Sequence, residues 1–415
     1  MWSHLHVTAS SLAPLPSTVA ALPAGTVVVS LQHAGGAAAA DSDKYDPAFD
    51  PDGDSSRGAP AQALYAAVIV DGEVAGTFRQ PWRNGEASKL RSLASQYEAF
   101  TAGLGTRLVK SSGSEVDLTT ELSKIQENLS AIFAPTDLIQ WLRRVLPVAD
   151  DASDSAESTR HLCLLLDETL DKLPMESISI FAQAGKQATS RDFSLHTLAS
   201  RVRHLQQQTS ATAPGCLNVV VDPFDESKGI VEAFASLKSG KFLSSGKVLI
   251  GAQQHCPSEG EIAHTLASSS TYVHIGPERI LGPVSPGSIA ALNASQCKTA
   301  VILDRGVNER SNRRQMKLDS TKTKAHLNCE RVTDTARLLT LSGVSTIVLS
   351  KTACTLDSLA TKASSVFASI DAGGTVGQAA AAVPQKQEKD DARDDTLEAG
   401  KCSLAVYGVS TNQLV

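Results

Sequence analysis

Between residues 271 and 304 lie two short apolar runs that each stop abruptly. The first reads Thr-Tyr-Val-His-Ile-Gly-Pro-Glu-Arg from Thr271, and the second reads Cys-Lys-Thr-Ala-Val-Ile-Leu-Asp-Arg-Gly from Cys297. Runs this short, rich in Val and Ile and bounded by Gly or Pro, read as buried strands of a parallel sheet. In an open α/β sheet, chemistry is placed at the carboxyl ends of the strands. Here those ends carry Pro277 and Glu278 in one run and Asp304, Arg305 and Gly306 in the other.

The surrounding chain supports such a sheet. Residues 25–31 and Leu64–Val70 read as strands, and Asp71-Gly72 is a hairpin signal that sends the chain back through Glu73–Gln80. This is a β-meander. Apolar residues then recur at helical spacing over 88–108, 117–133 and 135–147. From 160 to 370 strand and helix patterns alternate. Strands are expected at 161–166, 217–221, 248–250, 271–276, 299–304 and 345–350. Helices are expected at 193–205 (capped by Ser190 or Asp192), 230–237, 258–268, 327–342 and 355–370. Strand-helix alternation predicts an α/β fold, a mostly parallel sheet with helices on both faces, preceded by the β-meander and a helical lead-in. Aromatic residues make up only 4% of the chain, so the core must be aliphatic. The expected divisions are an approach segment at 1–24, the meander and helical lead-in at 25–150, an α/β core at 159–371, a low-complexity linker at 372–400 and a closing strand at 401–412.

Charge narrows the function. With 38 basic and 44 acidic residues the chain carries a net charge of −6, which gives no general drive toward nucleic acid or an anionic membrane. No apolar run is long enough to span a bilayer, and the amino-terminal residues lack the pattern of a signal peptide, so an intracellular protein is expected. The seven cysteines are scattered without zinc-site spacing, and reduced thiols are expected; no metal or other cofactor is called for. The run Gly240–Val248 fails as a phosphate loop because its glycine spacing is one residue too long and Val248 stands where Mg²⁺ needs Ser or Thr. A calcium-loop reading beginning at Asp50 fails on Ser55 and Ala61.

One local basic cluster stands out. Arg305, Arg310, Arg313, Arg314 and Lys317, followed by Lys322 and Lys324, face only Glu309 and Asp319, with no interleaved aromatics for base stacking. It reads as a solvated basic loop or as a docking surface for an acidic protein partner. Among the thiols, Cys354 is best placed, just after a strand end. A dyad with His274 would need that histidine within hydrogen-bond reach of the sulfur.

Taken in order, these elements resemble the CHAT domain, a caspase-like peptidase module whose clan includes separase. The most specific piece is the strand Leu162–Asp167 followed by Leu170-Asp-Lys-Leu-Pro174-Met-Glu176-Ser-Ile178, which is similar to the family's Leu-x-x-Leu-Pro-x-Glu-x-Leu signature. Leu217–Pro223 and the closing Leu404–Gly408 resemble further family elements. The resemblance implies a caspase-like fold. It also implies where a catalytic histidine and cysteine would stand, after the strands at 271–276 and 299–304. The first place holds Pro277 or Glu278 and the second Arg305, so the resemblance argues against peptidase activity. A narrower likeness lies in Glu176–Phe181 and in Ser190-Arg-Asp-Phe-Ser-Leu195. These resemble the C-terminal region of the cilia- and flagella-associated protein 46 family, a component of the axonemal central apparatus.

Three readings follow. The first is an inactive caspase-like scaffold in the cytoplasm and axoneme of motile cilia, whose partners are other proteins such as central-pair proteins or tubulin. The second is a cysteine peptidase with a relocated His274–Cys354 dyad. The third takes the chain as one domain of a longer scaffold.

Overall fold

A computed structural model describes residues 18–19, 22–34, 63–82, 85–110, 116–133, 137–146, 161–184, 189–209, 216–226, 228, 230–232, 246–251, 256–372, 374–381 and 404–409. Among these, no helix is long and apolar enough to cross a membrane.

The centre is one eleven-stranded sheet in the order β3-β2-β1-β4-β5-β13-β11-β9-β8-β6-β7. Its first three strands are β1 (Thr26–Ala34), β2 (Ala63–Val70) and β3 (Glu73–Pro81), joined antiparallel as a meander. Asp71 and Gly72 both have positive φ, the backbone that a two-residue hairpin turn with right-handed twist demands. Parallel strands then follow on the other side of β1: β4 (His161–Leu166) and β5 (Thr189–Asp192). The far flank is parallel throughout, with β6 (Leu217–Val221), β7 (Val248–Ile250), β8 (Thr271–Ile275), β9 (Thr299–Leu303) and β11 (Thr346–Ser350). Two short strands, β10 (Gly306–Val307) and β12 (Cys354–Thr355), pair separately beside it.

The closing strand β13 (Leu404–Gly408) lies in the middle of the sheet. It runs antiparallel to β11 over five residue pairs and meets β5 at Tyr407 and Arg191. Every one of its residues is buried.

Helices cover both faces. In α1 (Glu86–Lys110), Leu90, Leu93, Ala94, Tyr97, Phe100, Leu104 and Leu108 recur at one face and are buried against Val27, Val29 and Leu31 of β1. The same cluster takes in α2 (Val116–Phe133) and α3 (Asp137–Val145). Next come α4 (Glu168–Asp171), α5 (Ser179–Ala184) and α6 (Leu195–Thr209). On the far flank, α7 (Glu259–Ala267), α8 (Pro286–Ala291) and α11 (Val332–Leu341) supply residues to the core of one face, and α12 (Leu356–Asp371) and α13 (Val376–Ala381) to that of the other. Between them stand α9 (Glu309–Ser320) and α10 (Lys324–Cys329).

Several expectations are corrected. Residues 189–192 form a strand, and the following helix begins at Leu195. Its cap is Ser194, whose Oγ accepts the Thr197 amide, while neither Ser190 nor Asp192 fills that role. Asp192 instead accepts the Phe193 amide and pairs with Arg201 at 3.1 Å. The basic loop is mostly a helix, α9, capped by Asn308 with a reciprocal bond from Ser311. The helix expected over 327–342 is two, divided at Glu330 and Arg331. The linker expected from 372 contains α13, because Val376 and Ala379 are buried in the core. The helix expected at 230–237 lies largely outside the described residues, as does most of the linker.

Candidate functional site

β8 and β9 are adjacent and parallel, with Ile275 opposite Leu303, so both expected strand ends open on one rim of the sheet. The Gly276 amide still donates to Leu303 O at 2.9 Å, after which the chain peels away. Asp304 fixes this departure, because its Oδ2 accepts the Ile280 amide at 2.8 Å. Burial raises the Asp304 carboxyl above its ordinary range. Pro277 and Glu278 are both buried at the rim.

Glu278 belongs to a small carboxylate cluster that sequence reading missed. It is 3% exposed, and Asp222 and Glu226, from the end of β6, stand near it. Asp222 holds a positive φ at the point where β6 ends. Two arginines of α9 reach into the cluster. Arg314 Nε stands 2.8 Å from Glu278 Oε1, and the same guanidinium pairs with Glu226 and lies over the Phe224 ring at 4.3 Å. Arg310 pairs with Glu226 at 3.4 Å. Burial, then the like charge of Asp222, pushes the Glu278 carboxyl up to about 8. Three carboxyls crowd one well-inserted guanidinium, an arrangement that favours the protonated form of Glu278.

Arg305 points the other way. Its Nε donates to Ser350 O at 2.9 Å and its Nη2 to Glu330 O at 3.0 Å. Both acceptors are neutral carbonyls. The guanidinium lines a cleft of about 450 Å³ between the sheet rim and α1, together with Tyr97, Thr101, Arg279, Thr333 and Lys351, and six acidic residues line it as well. The cleft's other side is closed by α10 and α11. Residues from such distant parts of the chain carry no joint signature in the sequence.

The five basic candidates therefore do not form one patch. Arg305 lines the cleft, and Arg314 is spent inside the carboxylate cluster. Arg310, Arg313 and Lys317 remain on the solvent face of α9, where Arg313 also pairs with Glu309 one turn earlier.

The two members of the relocated dyad are kept apart. Val273 and Ile275 pack into the same apolar cluster as Cys354, whereas Tyr272 packs on the opposite face. Alternation along a strand puts His274 on the face of Tyr272. His274 is 1% exposed, its Nδ1 is 3.2 Å from the Tyr272 hydroxyl, and burial lowers its pKa to about 4. Cys354 is paired with Gly306 across β10 and β12. Another buried pair, His161 Nε2 and Ser190 Oγ at 2.7 Å, sits between β4 and β5 with both residues at most 2% exposed, which leaves no path for a substrate. Among the described residues no group of His, Cys, Asp and Glu is arranged to hold a metal ion.

The motif Leu-Pro-x-Glu has a physical role. Arg191 Nε and Nη2 grip Glu176 Oε1 and Oε2 at 2.6 and 2.7 Å, and Lys351 Nζ adds a third contact at 2.9 Å. Arg191 also reaches Asp171 Oδ1 at 3.0 Å and Leu173 O at 2.6 Å. Burial pushes the Glu176 carboxyl up, but Arg191 and Lys351 outweigh it and hold that carboxyl far below its usual range.

No family model matches the chain. Among the solved structures that resemble it are two of the Saccharomyces cerevisiae separase–securin complex. One aligns with TM-score 0.55 at 10% identity, covering 95% of this chain and 31% of that chain. The other aligns with TM-score 0.56 at 11% identity, covering 95% and 30%. The chain thus has the fold of the caspase-like region of separase and spans under a third of the chains it matches.

Proposed function

We propose that this chain is a caspase-like scaffold without peptidase activity, acting through protein–protein contacts. The observation that carries the reading is the chemistry at the rim. A cysteine peptidase needs an imidazole and a thiolate side by side at the ends of neighbouring strands. At the ends of β8 and β9 stand Pro277, Glu278 and Arg305, and Arg305 is tethered to two main-chain carbonyls. None of the three carries a thiol or an imidazole, and Glu278, the one group among them able to take a proton, is buried and paired with Arg314. The relocated dyad gains no support, since His274 and Cys354 belong to opposite faces of the sheet.

The contact surface in this reading is the solvent face of α9, where Arg310, Arg313 and Lys317 flank Met316, a 60% exposed apolar side chain. Such a face suits an acidic protein partner. A place in the axoneme of motile cilia, beside central-pair proteins or tubulin, extends the proposal and rests on the likeness of residues 176–181 and 190–195.

The test is direct. Purified protein is incubated with a mixed-sequence peptide library and with a cysteine-directed covalent probe. No cleavage and no activity-dependent labelling are expected. Cleavage abolished by a single Cys→Ala or His→Ala substitution would overturn the reading. For the axonemal extension, a tagged copy is imaged in ciliated cells, and a signal confined to the cell body would count against it.

A further inference from the structure

Arg305 is distinguished from every other arginine of the cleft by the company its charge keeps. Arg191, Arg279, Arg331 and Arg337 each have a carboxylate oxygen within 3.1 Å, and Lys351 has one at 2.9 Å. The nearest carboxylate to Arg305 is Asp304, with Oδ1 3.9 Å from Nε. Its two hydrogen bonds go to neutral carbonyls, which orient the guanidinium, while Asp304 and, farther off, Glu330 offset part of its charge. Nη1 makes no hydrogen bond among the described residues. Arg279 adds a second positive charge close by, so the two repel.

We propose, building on the scaffold reading above, that this cleft seats a carboxylate of an acidic protein segment on Arg305. Three features fit that ligand. The guanidinium is planar and pre-oriented by its carbonyl tethers, so little side-chain freedom is lost when an oxyanion docks. A volume of about 450 Å³ is too large for a lone ion and suits a side chain with its flanking backbone. Finally, α9 borders the cleft at Asp319, which Arg279 neutralises, and the same helix carries the exposed Arg313 and Lys317. A chain of alternating acidic residues leaving the cleft would meet Arg313 and Lys317, which steer its approach without being buried by it.

The experiment uses the full chain and two capped decapeptides, acetyl-(Gly-Glu)₅-amide and its Gln counterpart, read by fluorescence anisotropy at low salt. The Glu peptide is expected to bind at least ~10-fold more tightly than the Gln peptide, the size of one charge-assisted contact. Arg305→Gln is expected to erase that preference and Arg305→Lys to restore part of it. Arg313→Gln with Lys317→Gln is expected to slow association while leaving most of the preference. A parallel measurement needs no variant: the Glu peptide should protect Arg305, and not Arg313, from phenylglyoxal in the native protein. An uncapped Gln peptide that binds as well as the capped Glu peptide would assign the seat to a free carboxyl terminus, still a carboxylate on Arg305. Equal binding of both capped peptides with no protection of Arg305, or a preference that survives Arg305→Gln and vanishes only in the α9 variant, would overturn the proposal. Peptidase activity is read separately, so a cutting enzyme would sink the scaffold reading whatever the peptides do, and a failed seat would leave that reading standing.

Discussion

Arg191 and Glu176 form a two-pronged salt bridge in the interior, with Arg191 2% exposed. One partner comes from the polar strand β5 and the other from the turn after α4, so the pair fastens that turn to the sheet. Removing one member strands the other. Arg191→Met is expected to destabilise the fold by about 3–5 kcal/mol in chemical denaturation. The double variant with Glu176→Gln should cost at least ~1 kcal/mol less than the sum of the two single changes. Because the native Glu176 carboxyl lies far below its unfolded value, its contribution is present above the ordinary carboxylate range and is lost as the solution is acidified below it.

Glu278 has the opposite sign. Its native pKa is raised to about 8, so the folded state holds a proton that the unfolded chain gives up near the usual carboxylate value. That contribution is complete at low pH and drains away as pH rises through about 8. Unfolding free energy is therefore expected to fall by an amount on the order of 1–3 kcal/mol between about pH 5 and pH 9. Glu278→Gln should flatten this slope, as urea midpoints measured across the range would reveal. An unchanged slope would mean that another group is responsible.

Gly408 ends β13 with a φ of +93°, and a Cβ there would collide with the Ser345 carbonyl oxygen. Neither the backbone angle nor the contact can be relieved by turning a side chain. Gly408→Ala is expected to lower stability by roughly 2–4 kcal/mol. Calorimetry on the purified variant checks this.

Thiol accessibility gives a fourth test. Cys256 is exposed, while Cys163, Cys297 and Cys354 are buried. Burial raises Cys297 to about 12 and moves Cys163 in the same direction, so neither offers thiolate at neutral pH. Brief alkylation of the native protein followed by mass spectrometry should mark Cys256 well before these three. Rapid labelling of Cys354 would speak for an activated thiol there.

Much of the fold was legible because the strands that matter are unbroken runs of Val, Ile and Leu. Val273 and Val301 could hardly be anything but buried. Strand β5 escaped notice because Thr189-Ser-Arg-Asp192 has no apolar residue; its burial is secured by ion pairs with Glu176 and by Arg201, which no local pattern reveals. Helix α9 looks like a loop in the sequence for a related reason. Its sequence lacks an apolar stripe, and it is held by the Asn308 cap and by Arg314 reaching into carboxylates from β6 and β8. The Asn308-x-x-Ser311 spacing was the one available signal. The rim positions Pro277, Glu278 and Arg305 were placed by strand ends alone. The cleft was not, because Tyr97, Arg305, Thr333 and Lys351 meet only once the chain has closed.

The central position of β13 has a consequence for biosynthesis. A ribosome delivers Leu404–Gly408 after the other described strands, yet among the described residues no backbone ladder joins β5 to β11 without them. Until that moment a nascent chain carries two half-sheets, each with a raw inner margin able to recruit foreign strands. Premature termination a few codons upstream would make that vulnerable intermediate permanent, and a chaperone would find its clients among such shortened products.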